Sequence, residues 1–166
     1  PSTGVAGYYW EVYRLLDMMN NFSGILFAGL YLPMVMRYKK ERENLLHITQ
    51  SGIKLLIPIS LVALIVSYFF HFEIMSLLYK DEMNRSTELL FYMMLSFPFY
   101  SLNYIYSTFL SAMGEIKSQI VHAMVCAMLV IVFNLLYVDK YGALATAIIS
   151  AAGHFLFFLL NYLKVK

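Results

Sequence analysis

Five stretches without Lys, Arg, Asp or Glu limit what this chain can fold into: 18–36, 55–72, 89–114, 118–138 and 141–163. They contain 19, 18, 26, 21 and 23 residues. At 1.5 Å of rise per residue each makes at least ~27 Å of helix, enough to cross a ~30 Å hydrocarbon core with its interfaces. Each is too long for a barrel strand, and none alternates apolar with polar residues. A span surrounded by lipid must satisfy its own backbone hydrogen bonds, which a helix does. The sequence therefore predicts an all-α integral membrane protein, a polytopic helix bundle forming one transmembrane domain. Its helices are expected near 8–37, 53–72, 86–113, 116–138 and 141–164, with a polar connector over 38–52. Leu45, Leu46 and Ile48 in that connector predict a short helix lying at the interface.

Composition excludes the competing classes. The chain carries 12 Lys/Arg and 10 Asp/Glu, so 13% of its residues are charged, against ~25% in a soluble domain. Its mean hydropathy is +0.67. A net charge of +2 is too small to point to a polyanionic partner, so no nucleic acid is expected. The lone Cys126 rules out an intramolecular disulfide and a zinc site built on paired thiols. No glycine-rich phosphate loop, histidine-pair metal motif or nucleophile elbow occurs, so neither an enzyme nor a metal site is expected.

Orientation follows from Lys and Arg in the loops. One side of the membrane receives Arg14, Lys80, Arg85 and Lys140. The other receives Arg37, Lys39, Lys40, Arg42, Lys54, Lys117, Lys164 and Lys166. The richer side, with the C-terminus, is expected in the cytoplasm and residue 1 outside. The chain starts at Pro1 with no basic, then apolar, leader, so an upstream span is expected and the chain is read as a fragment.

Proline and glycine mark local features. Pro58 is expected in the first turn or two of the second helix. Pro98 should kink the third. Gly114-Glu115 and Asp139–Gly142 are expected to form tight turns that make the last three helices antiparallel neighbours. Two small-residue ladders open the fifth helix, Ala143/Ala147/Ala151 and Gly142/Thr146/Ser150, and are read as close-packing faces.

The polar residues inside spans are the candidates for function. Glu11, Arg14 and Asp17 recur every third residue and can pair along one helix face, with Asn20 and Asn21 a turn further in. Two readings stay open: a cavity site for an anionic polar ligand with Arg14 as phosphate contact, or a cluster bathed in headgroup water. Asn103 and Asn134 are read first as amides bonding across helices, and second as ligand contacts. His122 and His154 are read as packing residues that could also carry protons. Tyr100 and Tyr104 share one mid-span face, suited to interhelical packing or to stacking on a sugar.

Several segments resemble a known family. Gly7-Tyr-Tyr-Trp-Glu-Val-Tyr-Arg-Leu-Leu-Asp17, then Ser23–Gly29 and Leu32-Pro33, resembles the eighth helix of polysaccharide and lipid-linked-oligosaccharide flippases. These belong to the multidrug/oligosaccharidyl-lipid/polysaccharide exporter superfamily. Leu77–Glu82, Ser111–Gly114 and Asn134–Ala147 are similar, in order, to segments of its later helices. Lys80 stands for the usual Gly, Val138-Asp139 for Ile-Pro, and His154 for an acidic residue.

The resemblance implies five helices of a six-helix C-terminal lobe. It implies O-antigen-like flipping of a polyprenyl-diphosphate-linked repeat unit across the bacterial inner membrane by alternating access. Arg14 and Asp17 would line the cavity, Asp17 holding Arg14 in place. Partners would be the lipid-linked oligosaccharide, membrane lipids, the N-terminal lobe and glycan-assembly proteins. No cofactor is expected, and coupling to H+ or Na+ is an implication of the resemblance alone. A drug/cation antiporter of the same superfamily, a glycan polymerase and a non-transport membrane subunit are the alternatives.

Overall fold

The computed structural model describes residues 3–78 and 86–166. All regular structure among them is helical: α1 (Thr3–Leu26), a π-helical segment (Phe27–Tyr31), α2 (Leu32–Arg37), α3 (Arg42–Phe69), α4 (His71–Leu78), α5 (Ser86–Met94), α6 (Ser96–Ala112), α7 (Ile116–Tyr141) and α8 (Ala143–Val165). The Lys80 and Arg85 positions used for orientation lie outside the described residues.

Four helical stretches are long and apolar enough to cross a membrane: Tyr9–Arg37, Arg42–Phe69, Ile116–Tyr141 and Ala143–Val165. The remaining expected span, 86–113, is built from α5 and α6, which meet at Leu95. Pro98 explains the break. It has no N–H to give to the Met94 carbonyl, and its ring crowds that carbonyl, so the helix parts one turn upstream. The Ser96 hydroxyl donates to the Met93 carbonyl at 2.6 Å and satisfies a neighbouring acceptor.

Pro33 acts differently. Its ring opposes the Gly29 carbonyl, and the turn before it widens to a π-helix that keeps α1 and α2 running on as one rod.

The connector expected over 38–52 is a correction. Only Tyr38–Glu41 separate α2 from α3, and residues 42–52 are the opening turns of α3 itself. Nothing between Arg42 and Gly52 breaks a helix. Leu45 is fully buried and packs with Tyr31, Val35, Leu56, Ile105 and Phe109 rather than at an interface. Because α3 begins early, Pro58 falls deep inside it rather than in its first turns. The same shift carries Lys54 out of its expected loop and about 18 Å along the helix from Arg42.

Of the two turns expected at the other end, the first lies at Gly114-Glu115 and the second is shorter than expected. At Gly114, φ is +81°, the Gly114 N–H donates to the Ser111 carbonyl (3.1 Å) and the Glu115 N–H to the Leu110 carbonyl (2.9 Å). This paired bonding around a left-handed glycine ends α6. Between α7 and α8 the turn shrinks to Gly142 alone, with φ +62° and ψ −146°. That region of backbone space is all but closed to residues with a Cβ.

α6 is the central helix, packed chiefly on α8 and α3. Two apolar clusters hold the bundle. One joins Val12 and Leu16 of α1, Met75 of α4, four residues of α5, Phe97 and Ala147. The other joins α2, α3 and α6 through Tyr31, Val35, Leu45, Leu56, Ile105 and Phe109. Ala147 and Ala151 are buried, as the small-residue ladder requires. At Gly153 an added Cβ would sit 2.5 Å from Val130 Cγ2, so α7 and α8 touch through a glycine. Lipid supplies no hydrophobic drive between helices, so this close packing is what joins them. In α7, Cys126 is the buried residue, and Val121, Met124, Met128 and Leu135 are exposed apolar side chains suited to lipid.

Candidate functional site

Three polar constellations emerge. The first is the row on α1. Val12, Leu16 and Ser23 are buried and define its inward face. At 100° per residue, Arg14, Asp17 and Asn21 point the opposite way, and all three are exposed. Asn21 Nδ2 donates to Asp17 Oδ2 at 3.0 Å. Among the described residues no ion pair joins Arg14 to Asp17, which corrects the expectation that Asp17 holds Arg14. The amide one turn on takes the carboxylate instead. Glu11 is half-buried on one flank of this row, and Asn20 half-buried on the other. The Asn20 Oδ1 is buried with no hydrogen-bond partner.

The second constellation is a polar stripe on α6. Tyr100, Asn103, Tyr104, Ser107, Thr108 and Ser111 repeat at three- and four-residue intervals and so share a face. With Leu32 of α2 and Phe157 of α8 they line a cleft of about 280 Å³. Asn103 bonds across helices as expected: its Nδ2 donates to the His154 carbonyl at 2.8 Å. Its Oδ1 is buried without a partner. Tyr100 meets the His154 ring edge-on at 5.6 Å, and α6 also packs on α1. The α1 row and the α6 stripe are thus neighbours. Ser107, Thr108 and Ser111 were missed by the sequence reading, although their spacing from Asn103 was there to be counted.

The third constellation ties α6, α7 and α8 together. His122 Nδ1–H donates to Asn161 Oδ1 at 2.9 Å, and Asn161 Nδ2 donates to Ser107 Oγ at 3.4 Å. Asn161 is fully buried. Gln119 Nε2 donates to Ser111 Oγ at 3.0 Å. His122 is therefore tied across the helix interface to α8. Asn134 is not an interhelical amide: its Nδ2 donates to the Val130 carbonyl of its own helix at 2.8 Å, four residues back. At the α6–α7 turn, Lys164 Nζ lies 3.3 Å from Glu115 Oε2, to which the Ser118 hydroxyl also donates at 3.0 Å. Among the described residues no group of three or more His, Cys, Asp or Glu could hold a metal ion.

An all-helical bundle with four stretches long and apolar enough to cross a membrane, and a further helical pair parted near a proline, defines a multi-pass membrane protein. Residues 39–136, more than half of the chain, match MatE, and the chain belongs to this family of exporter-type membrane transporters. The match runs from the α2–α3 turn to near the end of α7 and leaves α1 and α8 outside it. No curated protein and no solved structure matches the chain.

Proposed function

We propose that this chain takes part in moving a lipid-linked oligosaccharide, a polyprenyl-diphosphate-linked repeat unit, across the bacterial inner membrane by alternating access, for polysaccharide or O-antigen assembly. The observation that carries this reading is the α6 stripe. A membrane cleft of mostly apolar surface, edged by hydroxyls and flanked by two tyrosine rings, suits a sugar, which offers hydroxyls at its edge and C–H groups on its faces. At about 280 Å³ it is slightly smaller than the ~300–1,000 Å³ of ligand pockets, so it would take part of a repeat unit. Beside it, Arg14 would contact the diphosphate, since a guanidinium presents paired donors to phosphate oxygens. The other half of the cavity would come from an N-terminal lobe, and the C-terminus would lie in the cytoplasm. The lobes would rock while the lipid tail stays in the bilayer.

One observation favours the antiporter alternative. Asp17 lies inside the Tyr9–Arg37 span, where a carboxylate could exchange a proton or cation for a drug. The two readings separate in cells. Deleting the full-length gene should cause lipid-linked repeat units to accumulate, and Arg14→Ala should fail to restore export. Drug sensitivity without glycan accumulation would replace the flippase reading by the antiporter one. Full rescue by both Arg14→Ala and Asp17→Ala would remove the α1 row from the site.

A further inference from the structure

The feature that the transport reading does not use is a second groove, between α2 and α3. It is the larger one, about 500 Å³, and mostly apolar. Met34 and His47 line one end, Leu30 and Ile59 the other, and Gly52 forms part of its lining. The antiparallel run from residue 47 to 59 makes it about 18 Å long. Gly52 brings α3 close to the second cluster, with an added Cβ 3.4 Å from both Ile105 and Tyr31.

One rim of this groove is polar and basic. His47, Ser51 and Lys54 fall at i, i+4 and i+7, so they form one stripe along α3, and all three are exposed. The Ser51 hydroxyl donates back to the His47 carbonyl at 2.9 Å and is so engaged, which leaves the Lys54 ammonium as the cation of this stripe. Lys54 lies well inside the Arg42–Phe69 span and makes no ion pair among the described residues. An unpaired cation at that depth is expensive unless it reaches an anion or water. Helical side chains lean toward the helix N-terminus, so Lys54 reaches back toward His47 and the Arg37–Arg42 turn. Four residues on, Pro58 has no N–H to give to the Lys54 carbonyl. The carboxylates near that turn do not take the lysine: Glu41 accepts from Asn44, and Glu43 forms no ion pair among the described residues.

Charge and shape together name the occupant. We propose that the α2–α3 groove holds one acyl chain of an anionic membrane phospholipid, with its phosphate bound by Lys54 and His47 at the basic rim. Arg37, one turn beyond the groove-lining Met34, adds a second cation on the headgroup side, beside the hydrogen-bonding ring of His47. A zwitterionic lipid would bring its own cation against this rim and bind less well.

Trp10 is the chain's one tryptophan, which makes a direct test available. In a Trp10→Phe background, Leu55→Trp places a fluorophore on a groove-lining, exposed position. The full chain is reconstituted in phosphatidylcholine vesicles doped with phosphatidylglycerol or phosphatidylcholine brominated on the acyl chain. At equal mole fraction, brominated phosphatidylglycerol should quench at least about twice as strongly. Lys54→Gln should bring the ratio to one, and Lys54→Arg should keep it. A tryptophan at Met128, on the exposed side of α7, should show no preference. A ratio of one in the Lys54 chain would overturn the proposal. So would a preference that survives Lys54→Gln together with His47→Gln, or one equally strong at Met128.

Discussion

The α1 row and the α6–α7–α8 network are both polar and both within the bundle's helices, yet they are built in opposite ways. The row is charged, exposed and turned away from the core, with Asn21 and Asp17 bonded to each other on the same helix. The network is uncharged, and each link crosses from one helix to another, through an asparagine with no exposed surface. A membrane makes the reason plain. An ion inside protein must be neutralised or wetted, whereas an amide can be satisfied by two neutral neighbours. Interhelical amide bonds therefore add to the close packing that joins the helices, and the ions are left for a surface turned away from the core. If that division is right, changes in the network should damage stability and changes in the row should damage function alone.

The largest effect is expected at Asn161. Asn161→Leu removes both links and leaves His122 and Ser107 without their interhelical partner. Individual interhelical bonds in membranes average ~0.6 kcal/mol and reach ~1.7, and an unpaired buried donor adds to this, so a loss of about 2 kcal/mol is expected. Equilibrium unfolding in detergent micelles measures it. An unchanged midpoint would remove the structural role given to the network.

Gly153→Ala comes next. Its Cβ would lie 2.5 Å from Val130 Cγ2, and β-branched valine has little freedom to turn away within a helix. Overpacking of this kind costs about 1–3 kcal/mol. Val130→Ala in the same chain should recover most of the loss, since it removes the clashing methyl. Failure of that rescue would mean that the α7–α8 contact is not made through this pair. Gly142→Ala should cost a similar or smaller amount, about 1–2 kcal/mol, through backbone strain at φ +62° rather than through a clash.

Much of this comparison was legible in the sequence, and the limits have physical causes. Runs without charge locate helices because lipid penalises charge, so the all-α class and most spans could be read directly. Charge fails where it lies inside a helix: Lys54 reads as the end of a loop, and the expected start at residue 53 falls eleven residues after the actual one at Arg42. The α1 row was found because three charges in a span stand out. Asn161 was overlooked because a single amide near the end of an apolar helix looks like an interfacial residue. Its burial depends on which helices come next to it, and spacing along one chain does not carry that. The stripe on α6 was half found, through its tyrosines and Asn103, because serine and threonine are common in membrane helices and draw no notice singly.

A smaller effect is expected at Glu115, in the exposed α6–α7 turn. The Ser118 hydroxyl, and after it the Lys164 ammonium, hold its carboxyl below the usual carboxylate range. A group whose folded-state value is depressed adds stability that is fully present above its ordinary value. That stability is lost as pH falls through the folded-state value. Melting measured from about pH 6 down to about pH 3 should therefore decline more steeply in the natural chain than in Glu115→Gln. Parallel curves would mean that the Lys164–Glu115 pair is too exposed to matter.

The smallest change in stability, and the sharpest test of the division, is expected for the α1 row. Arg14 and Asp17 are exposed and not paired with each other, so Arg14→Ala and Asp17→Ala should each shift unfolding by no more than about 0.5 kcal/mol. On the proposed reading export should nonetheless fall, because removing the guanidinium from the proposed phosphate contact would forfeit a charge-assisted, two-donor interaction. Arg14→Lys restores the charge but not the paired donors, so it should recover only part of the activity if the ligand is a diphosphate, and most of it if the arginine merely attracts anions from a distance. A large stability loss in Arg14→Ala would mean that the row braces the bundle after all. In that case the contrast with the Asn161 network would be one of position and not of role.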